Sequence, residues 1–263
     1  MPSFEDMVDQ NITGSEFHFS SVNIDKLDEL KYTVANISAD VSGSMWGEEA
    51  KVDEALQRII KTCQNAATAD NILLRLIAFN NSVQEIFGFK PIHTITPADV
   101  AVPSPGGGTA LNDAVFSSVG AVEDECVQLF DQSCDTNGIE VIITDGYENS
   151  SKSSNKKVRN RIKSMKKNEA MESNISILVA MGCDTSTDKA YFTKLCTDLG
   201  IDHFLPFPDM TEATFGKLVQ LISQSISSQS KALGNGGPSQ IINPLTGAVS
   251  QPVTGGASVS LSI

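Results

Sequence analysis

"ISADVSGSM", residues 37–45, ends an apolar run with one carboxylate and two hydroxyls at alternate positions: Asp40, Ser42 and Ser44. The stretch leading into it, "KYTVANISA" (31–39), has a near-continuous apolar centre, as a strand covered on both faces of a parallel sheet requires. A turn would account for Gly43 but not for the alternation of oxygen-bearing side chains. In an extended segment every second side chain points the same way, so this strand end is expected to aim three oxygen groups at one point. Gly43 would let the backbone turn there at close range.

Outward from this stretch, strands and helices alternate. "EEAKVDEALQRIIKTCQNA" spaces Val52, Leu56, Ile59, Ile60 and Cys63 along one helix face. "NILLRLIAFN" reads as a strand, with "SVQEIFGF" paired to it across Asn80-Asn81. "SPGGGTALNDAVFSSVGAVEDECVQLF" is a glycine loop feeding a long helix, and "GIEVIITDG" is a strand ending at Asp145-Gly146. A basic helix, the strand "ISILVAMG", the helix "DKAYFTKLCTDLG", the short strand "HFLPFP" and a closing helix over 212–230 complete the pattern. This rhythm predicts one α/β domain over 31–230, a mostly parallel sheet between two helical layers. Residues 1–30 form an extension: a lead-in without sustained apolar pattern over 1–16, then "FHFSSVNI" (17–24), which alternates like an edge strand.

Residues 231–263 differ in character. They carry a single charged residue, Lys231, and are rich in Gly, Ser, Pro and Val, too poor in large apolar groups to fold alone. Such a segment is either a flexible tail or an arm for self-assembly. "ASVSLSI" alternates and has no charge to discourage strand pairing with another subunit.

Composition narrows the functions. The 263 residues can bury a sizeable core, and 40% hydrophobic with 19% charged residues is a globular balance. A net charge of −13 repels phosphates overall and argues against nucleic acid as a general partner. No stretch is long and apolar enough to span a bilayer, and "MPSFEDMVDQ" lacks the basic start and apolar core of a signal peptide. Five scattered cysteines without a CxxC pair argue against a disulfide framework and suit a reducing compartment. The expectation is a soluble, cytoplasmic or particle-assembled chain without membrane contact. Residues 152–167 run against the overall charge, with Lys152, Lys156, Lys157, Arg159, Arg161, Lys163, Lys166 and Lys167 and no acid. Val158, Ile162 and Met165 recur there at helical spacing, so one face is expected to be buried and the other to be solvated or to meet an acidic partner.

In a parallel α/β sheet, ligands sit beyond the carboxyl ends of the strands where strand order reverses. Asp40, Ser42 and Ser44, Thr109 in "PGGGTAL", and Asp145 in "VIITDGYEN" all fall at such ends. They are hard oxygen donors, a set suited to Mg²⁺, with Mn²⁺ or Ca²⁺ as substitutes. Two carboxylates with neutral hydroxyls leave such a cation under-filled, so a carboxylate from elsewhere would complete it. Each element alone also fits a helix cap or a turn; it is their joint order that separates the readings.

DxSxS at 40–44, a threonine in a glycine-rich loop and an aspartate at a later strand end together resemble the metal-ion-dependent adhesion site of von Willebrand factor A domains. The resemblance covers about 31–230. It implies a doubly wound, Rossmann-like α/β fold with a six-stranded, mostly parallel sheet, one antiparallel edge strand and helices on both faces. It implies metal ligation by Asp40, Ser42, Ser44 and Thr109, with Asp145 acting through a bridging water. It also implies non-enzymatic binding of a protein partner through that partner's Glu or Asp, and a movable last helix. "GGGTALNDA" and "ITDGYENSS" look closest to the intracellular bacterial and phage branch. Glu148 and Asn149 are expected to begin the next helix, with a place on the rim of the site as the alternative, and Trp46 and Tyr147 to be either contact or core residues.

Rival chemistries fit less well. A haloacid dehalogenase-type phosphotransferase needs a second aspartate where Ser42 stands. A P-loop needs Lys after its glycines, and no GxSxG marks a serine hydrolase. His18, His93 and His203 lie in unrelated segments and are each expected to be a surface or satisfied histidine. The chain therefore reads as a metal-dependent interaction module and not an enzyme, with a structural or virion assembly protein using 231–263 as the alternative.

Overall fold

The computed structural model describes residues 7–24, 27, 30–209 and 211–235, together with the pairs 241–242, 249–250 and 259–260. Its strands are β1 (Met7–Asn11), β2 (His18–Val22), β3 (Lys31–Asp40), β4 (Ile72–Phe79), β5 (Val83–Pro91), β6 (Asp135–Thr144), β7 (Ser173–Ala180) and β8 (His203–Pro206), with two-residue strands β9 (Ile241–Ile242), β10 (Val249–Ser250) and β11 (Val259–Ser260). The helices are α1 (Glu49–Gln64), α2 (Leu111–Asp131), α3 (Asn155–Met165), α4 (Ser186–Leu199) and α5 (Glu212–Asn235).

Among the described residues the main sheet has nine strands in the order β1-β2-β5-β4-β3-β6-β7-β8-β11. β4, β3, β6, β7 and β8 run parallel, and β5 pairs antiparallel with β4. This is the doubly wound α/β architecture that the resemblance implies, enlarged at both edges. β5 is not the edge strand. β2 joins it in parallel through a single Ser21–Phe89 pairing, and β1 pairs antiparallel with β2. Met7–Asn11 is thus a strand where the sequence offered only a lead-in. Packing is what tethers it: Ile12 is buried against Gly120 of α2, and the Thr13 amide donates to Asp124 Oδ2 at 2.7 Å.

Alternate residues of the central strands feed two cores. Ala35, Ile37 and Ala39 of β3 join Leu74, Leu76, Val141 and Ile177 under α1 and α5. Tyr32 and Val34 join Leu73, Ile142 and Leu178 under α2, α3 and α4. Each fully buried Ile, Leu or Val side chain contributes about 1.5–3 kcal/mol. Val52, Leu56, Ile59, Ile60 and Cys63 are all buried along α1, as their spacing predicts, and all five cysteines are buried and free. Among the described residues no helix is long and apolar enough to cross a membrane.

Most of the 231–263 arm, including all of "ASVSLSI" except Val259 and Ser260, lies outside the described residues or is described only as backbone. Val259 and Ser260 pair in parallel with His203 and Phe204 of the same chain.

Candidate metal centre

Strand register brings the two acidic segments together. Ala39 of β3 lies opposite Ile143 of β6, so Asp40 and Thr144 are the next neighbours. The Thr144 hydroxyl donates to Asp40 Oδ2 at 2.5 Å. From β3 the chain steps to β4 on one side; from β6 it steps to β7 on the other. The pair therefore stands where strand order reverses, at the carboxyl ends.

Beyond Asp40 the backbone does something the sequence did not announce. Residues Gly43–Met45 wind into a 3₁₀ turn, so Ser42 and Ser44 are not alternate residues of an extended strand. On such a strand they would lie about 6.6 Å apart along the chain. The turn instead brings their hydroxyl oxygens to 3.1 Å. The Ser42 amide donates to Asp40 Oδ1 at 2.7 Å, and the Ser44 hydroxyl donates to Asp145 Oδ1 at 2.6 Å. Gly43 serves close approach: its amide donates to the Gly107 carbonyl at 3.0 Å, and a β-carbon would come within 3.3 Å of that oxygen.

Thr109 is fixed by groups from two other loops. Its amide donates to Asn149 Oδ1 at 2.8 Å, and the Gly108 amide donates to Asn81 Oδ1 at 2.6 Å. Ser42, Ser44, Thr109, Asp145, Tyr147 and Asp188 line one open depression of about 480 Å³, with Asp40 buried beneath Ser42. All five residues singled out from the sequence thus meet at one place.

The site is electrostatically unfinished. Burial pushes the Asp40 carboxyl up to about 6, against the opposing hydrogen bonds from Thr144 and Ser42. Burial also raises Asp145, and the Glu48 carboxylate nearby adds to the effect. Among the described residues neither aspartate has a basic partner. The donor set fits a hard divalent cation. Adjacent corners of an Mg²⁺ octahedron lie about 2.9 Å apart, close to the observed spacing of the two serine hydroxyls. Among the described residues no group of three or more His, Cys, Asp or Glu is placed to hold a metal ion, so the candidate site rests on two carboxylates and three hydroxyls.

Several supporting residues escaped the sequence reading. Thr144 and Asn81 hold Asp40 and the Thr109 loop without belonging to a motif, while Asn149 takes the rim place that was the alternative expectation for it. Glu148 and Asn149 do not begin the next helix; α3 starts at Asn155, with Ser154 as its N-cap. Glu148 instead accepts from the Asn112 amide at 2.7 Å and the Ser151 amide at 2.8 Å, satisfying a free amide at the start of α2. The run Glu148-Asn149-Ser150-Ser151, rich in capping side chains, was the available signal. Trp46 and Tyr147 are exposed, at 68% and 42%, and so are not core, and Tyr147 lines the depression. Tyr147 stacks on Tyr191 with ring centres 4.2 Å apart, and its hydroxyl donates to Asp188.

A depression of about 420 Å³ between β2 and β5 holds Glu85, Lys90 and Asp99, but its charges are internally paired, Glu85 with Arg75 and Lys90 with Asp99. His203 is neither a surface nor a satisfied histidine. It is 1% exposed, neither ring nitrogen has a partner among the described residues, and burial lowers its pKa, which favours the neutral ring.

No protein-family model matches the chain, and neither does any curated protein. Solved structures do match in fold. The PilB minor pilin from Streptococcus sanguinis aligns with TM-score 0.55 and 16% identity, over 82% of this chain and 66% of the pilin. The pilus adhesin SpaC from Lactobacillus rhamnosus GG, in an open conformation, aligns with TM-score 0.57 and 10% identity, over 80% of this chain and 31% of the adhesin. The chain thus spans 66% and 31% of the lengths of these proteins, and at such identities the likeness is one of fold.

Proposed function

We propose that the chain is a divalent-metal-dependent protein-interaction module with a metal-ion-dependent adhesion site. Ser42, Ser44 and Thr109 supply hydroxyls, Asp40 a carboxylate, and Asp145 a carboxylate acting directly or through water. Mg²⁺ is the cation this donor set suits best, and when bound it offers an electrophilic position to an outside carboxylate. The partner is a protein presenting Glu or Asp.

The observation that carries this reading is the convergence itself. Side chains from three separate segments meet at the switch point in an open depression, with two acids that lack a basic partner among the described residues. An enzyme reading has less to carry it: the described lining of the depression holds no His, Cys or Lys, which leaves its Asp, Tyr, Ser and Thr side chains as the groups that could move a proton or attack a substrate. The match to a pilin and an adhesin agrees in fold with an interaction role. The test is capture on immobilised protein with Mg²⁺ present. The reading expects a partner that elutes with chelator and is not retained by Asp40→Ala or Thr109→Ala. Retention indifferent to chelator and to both substitutions would overturn it.

A further inference from the structure

The basic run over 152–167 divides into two sets of side chains. One set has structural work. Arg161 pairs with Glu123 and Asp124 at 2.9 Å each, and its Nη1 donates to the Thr13 carbonyl. Lys166 pairs with Asp202, Lys152 with Glu16 at 3.3 Å, and Lys157 lies 4.5 Å over the Phe116 ring. These cations dock α3 onto α2, tie down the β1–β2 loop and reach the segment before β8.

The other set has none. Lys156, Arg159, Lys163 and Lys167 are exposed and form no ion pair among the described residues. Their spacings of three, four and four residues put them on one stripe of α3 and its final turn, about 16 Å long at 1.5 Å per residue. The opposite face, Val158, Ile162 and Met165, is buried, so the stripe points outward.

This arrangement costs the fold something. Like charges three and four residues apart repel, and Lys156 in the first turn opposes the helix dipole, with no acid there to offset it. Neighbouring residues on the stripe have Cβ atoms about 5–6 Å apart, inside a Debye length of about 8 Å at physiological salt. They therefore act together. The chain's net charge of −13, spread over the remaining surface, is screened over longer distances.

We infer that this stripe is a second, metal-independent docking surface for an acidic helix of a protein partner. A helix with carboxylates three and four residues apart presents the complementary stripe with matching pitch. Nucleic acid is the poorer occupant. α3 contains no aromatic side chain on which a base could stack.

The test uses the full chain in chelator and a labelled alanine-based helical peptide with glutamates at i, i+3, i+7 and i+11. Fluorescence anisotropy is followed as salt is raised. The expected result is salt-sensitive binding that weakens roughly tenfold or more in the combined Lys156→Gln, Arg159→Gln, Lys163→Gln and Lys167→Gln variant. All four side chains are exposed, so this variant should keep its fold, checked by its melting temperature. Asp40→Ala should leave peptide binding unchanged, which separates this surface from the metal centre. Absence of peptide binding, equal binding by the glutamine variant, or tighter binding of an oligothymidylate of equal charge would each overturn the inference.

Discussion

Asn149 grips Thr109 from both sides: its side-chain oxygen accepts from the Thr109 amide at 2.8 Å, and its own amide donates to the Thr109 carbonyl at 3.1 Å. The two residues are forty positions apart, one ahead of α2 and the other beyond β6. This clamp sets where the threonine hydroxyl stands relative to Ser42 and Ser44. Asn149→Ala keeps the backbone amide and removes only the side-chain acceptor. Metal affinity should drop about 10–100-fold, the usual effect of losing a group that orients a ligand. Unchanged affinity in a calorimetric titration would mean that the clamp does not govern the site.

Asp40 gives a pH dependence whose sign depends on the metal. Its carboxyl titrates at about 6 in the fold against 3.8 when free, so the folded metal-free protein holds the proton more tightly than the unfolded chain. That contribution is fully present below about pH 4 and is lost as pH rises through about 6, a change of at most about 3 kcal/mol. Asp40→Asn should therefore raise the metal-free melting temperature at pH 7.5 and have less effect at pH 4. The same variant should abolish any rise in melting temperature caused by Mg²⁺. A fall in metal-free stability at pH 7.5 would contradict the first expectation.

Two buried acids far from the depression predict a second, metal-independent effect. Glu125 on α2 and Glu140 on β6 are fully buried, and burial pushes each up to about 8. The Ser21 side chain moderates Glu125 without reaching hydrogen-bond geometry, while Glu140 Oε1 accepts from Asn174 Nδ2 at 2.8 Å. Both acids are neutral at neutral pH, and the folded state binds more protons than the unfolded one between about 4.5 and 8. Stability should decline with rising pH across that window. Denaturant titrations of the Glu125→Gln and Glu140→Gln double variant should show a flatter decline; an equal slope would contradict the assignment.

Gly108 is where the three loops crowd together. A β-carbon there would lie 2.1 Å from Ser150 Oγ, 2.5 Å from Asn149 Oδ1 and 3.0 Å from Asn81 Oδ1. Gly108→Ala should push apart the two asparagines that hold the threonine loop. Metal binding should fall at least as far as in Asn149→Ala, with a stability loss of about 1–3 kcal/mol from overpacking. Chemical denaturation and metal titration on the same variant check both.

What could be read from the sequence was what depends on side-chain chemistry in chain order. The apolar run at 31–39, the helix face of α1 and the oxygen-bearing strand ends each follow from local pattern, and these bring Asp40, Thr109 and Asp145 to one end of the sheet. Contacts between distant segments could not be read in this way. Nothing local distinguishes Met7–Asn11 from a lead-in; its pairing with β2 and the burial of Ile12 against α2 decide it. The 3₁₀ turn at Gly43–Met45 also escaped, because its hydrogen bond to Gly107 comes from a loop more than sixty residues away. Asn81 belongs to the same class, since an asparagine in a loop carries no local mark of what it will hold.

The central claim is that five oxygen-bearing side chains form one cation site. Isothermal titration of the purified protein with Mg²⁺ and Mn²⁺, beside Asp40→Ala and Thr109→Ala variants with unchanged circular dichroism, tests it most directly. The account predicts a single site in the wild type that is lost in both variants. No binding, or binding that both substitutions leave intact, would contradict it.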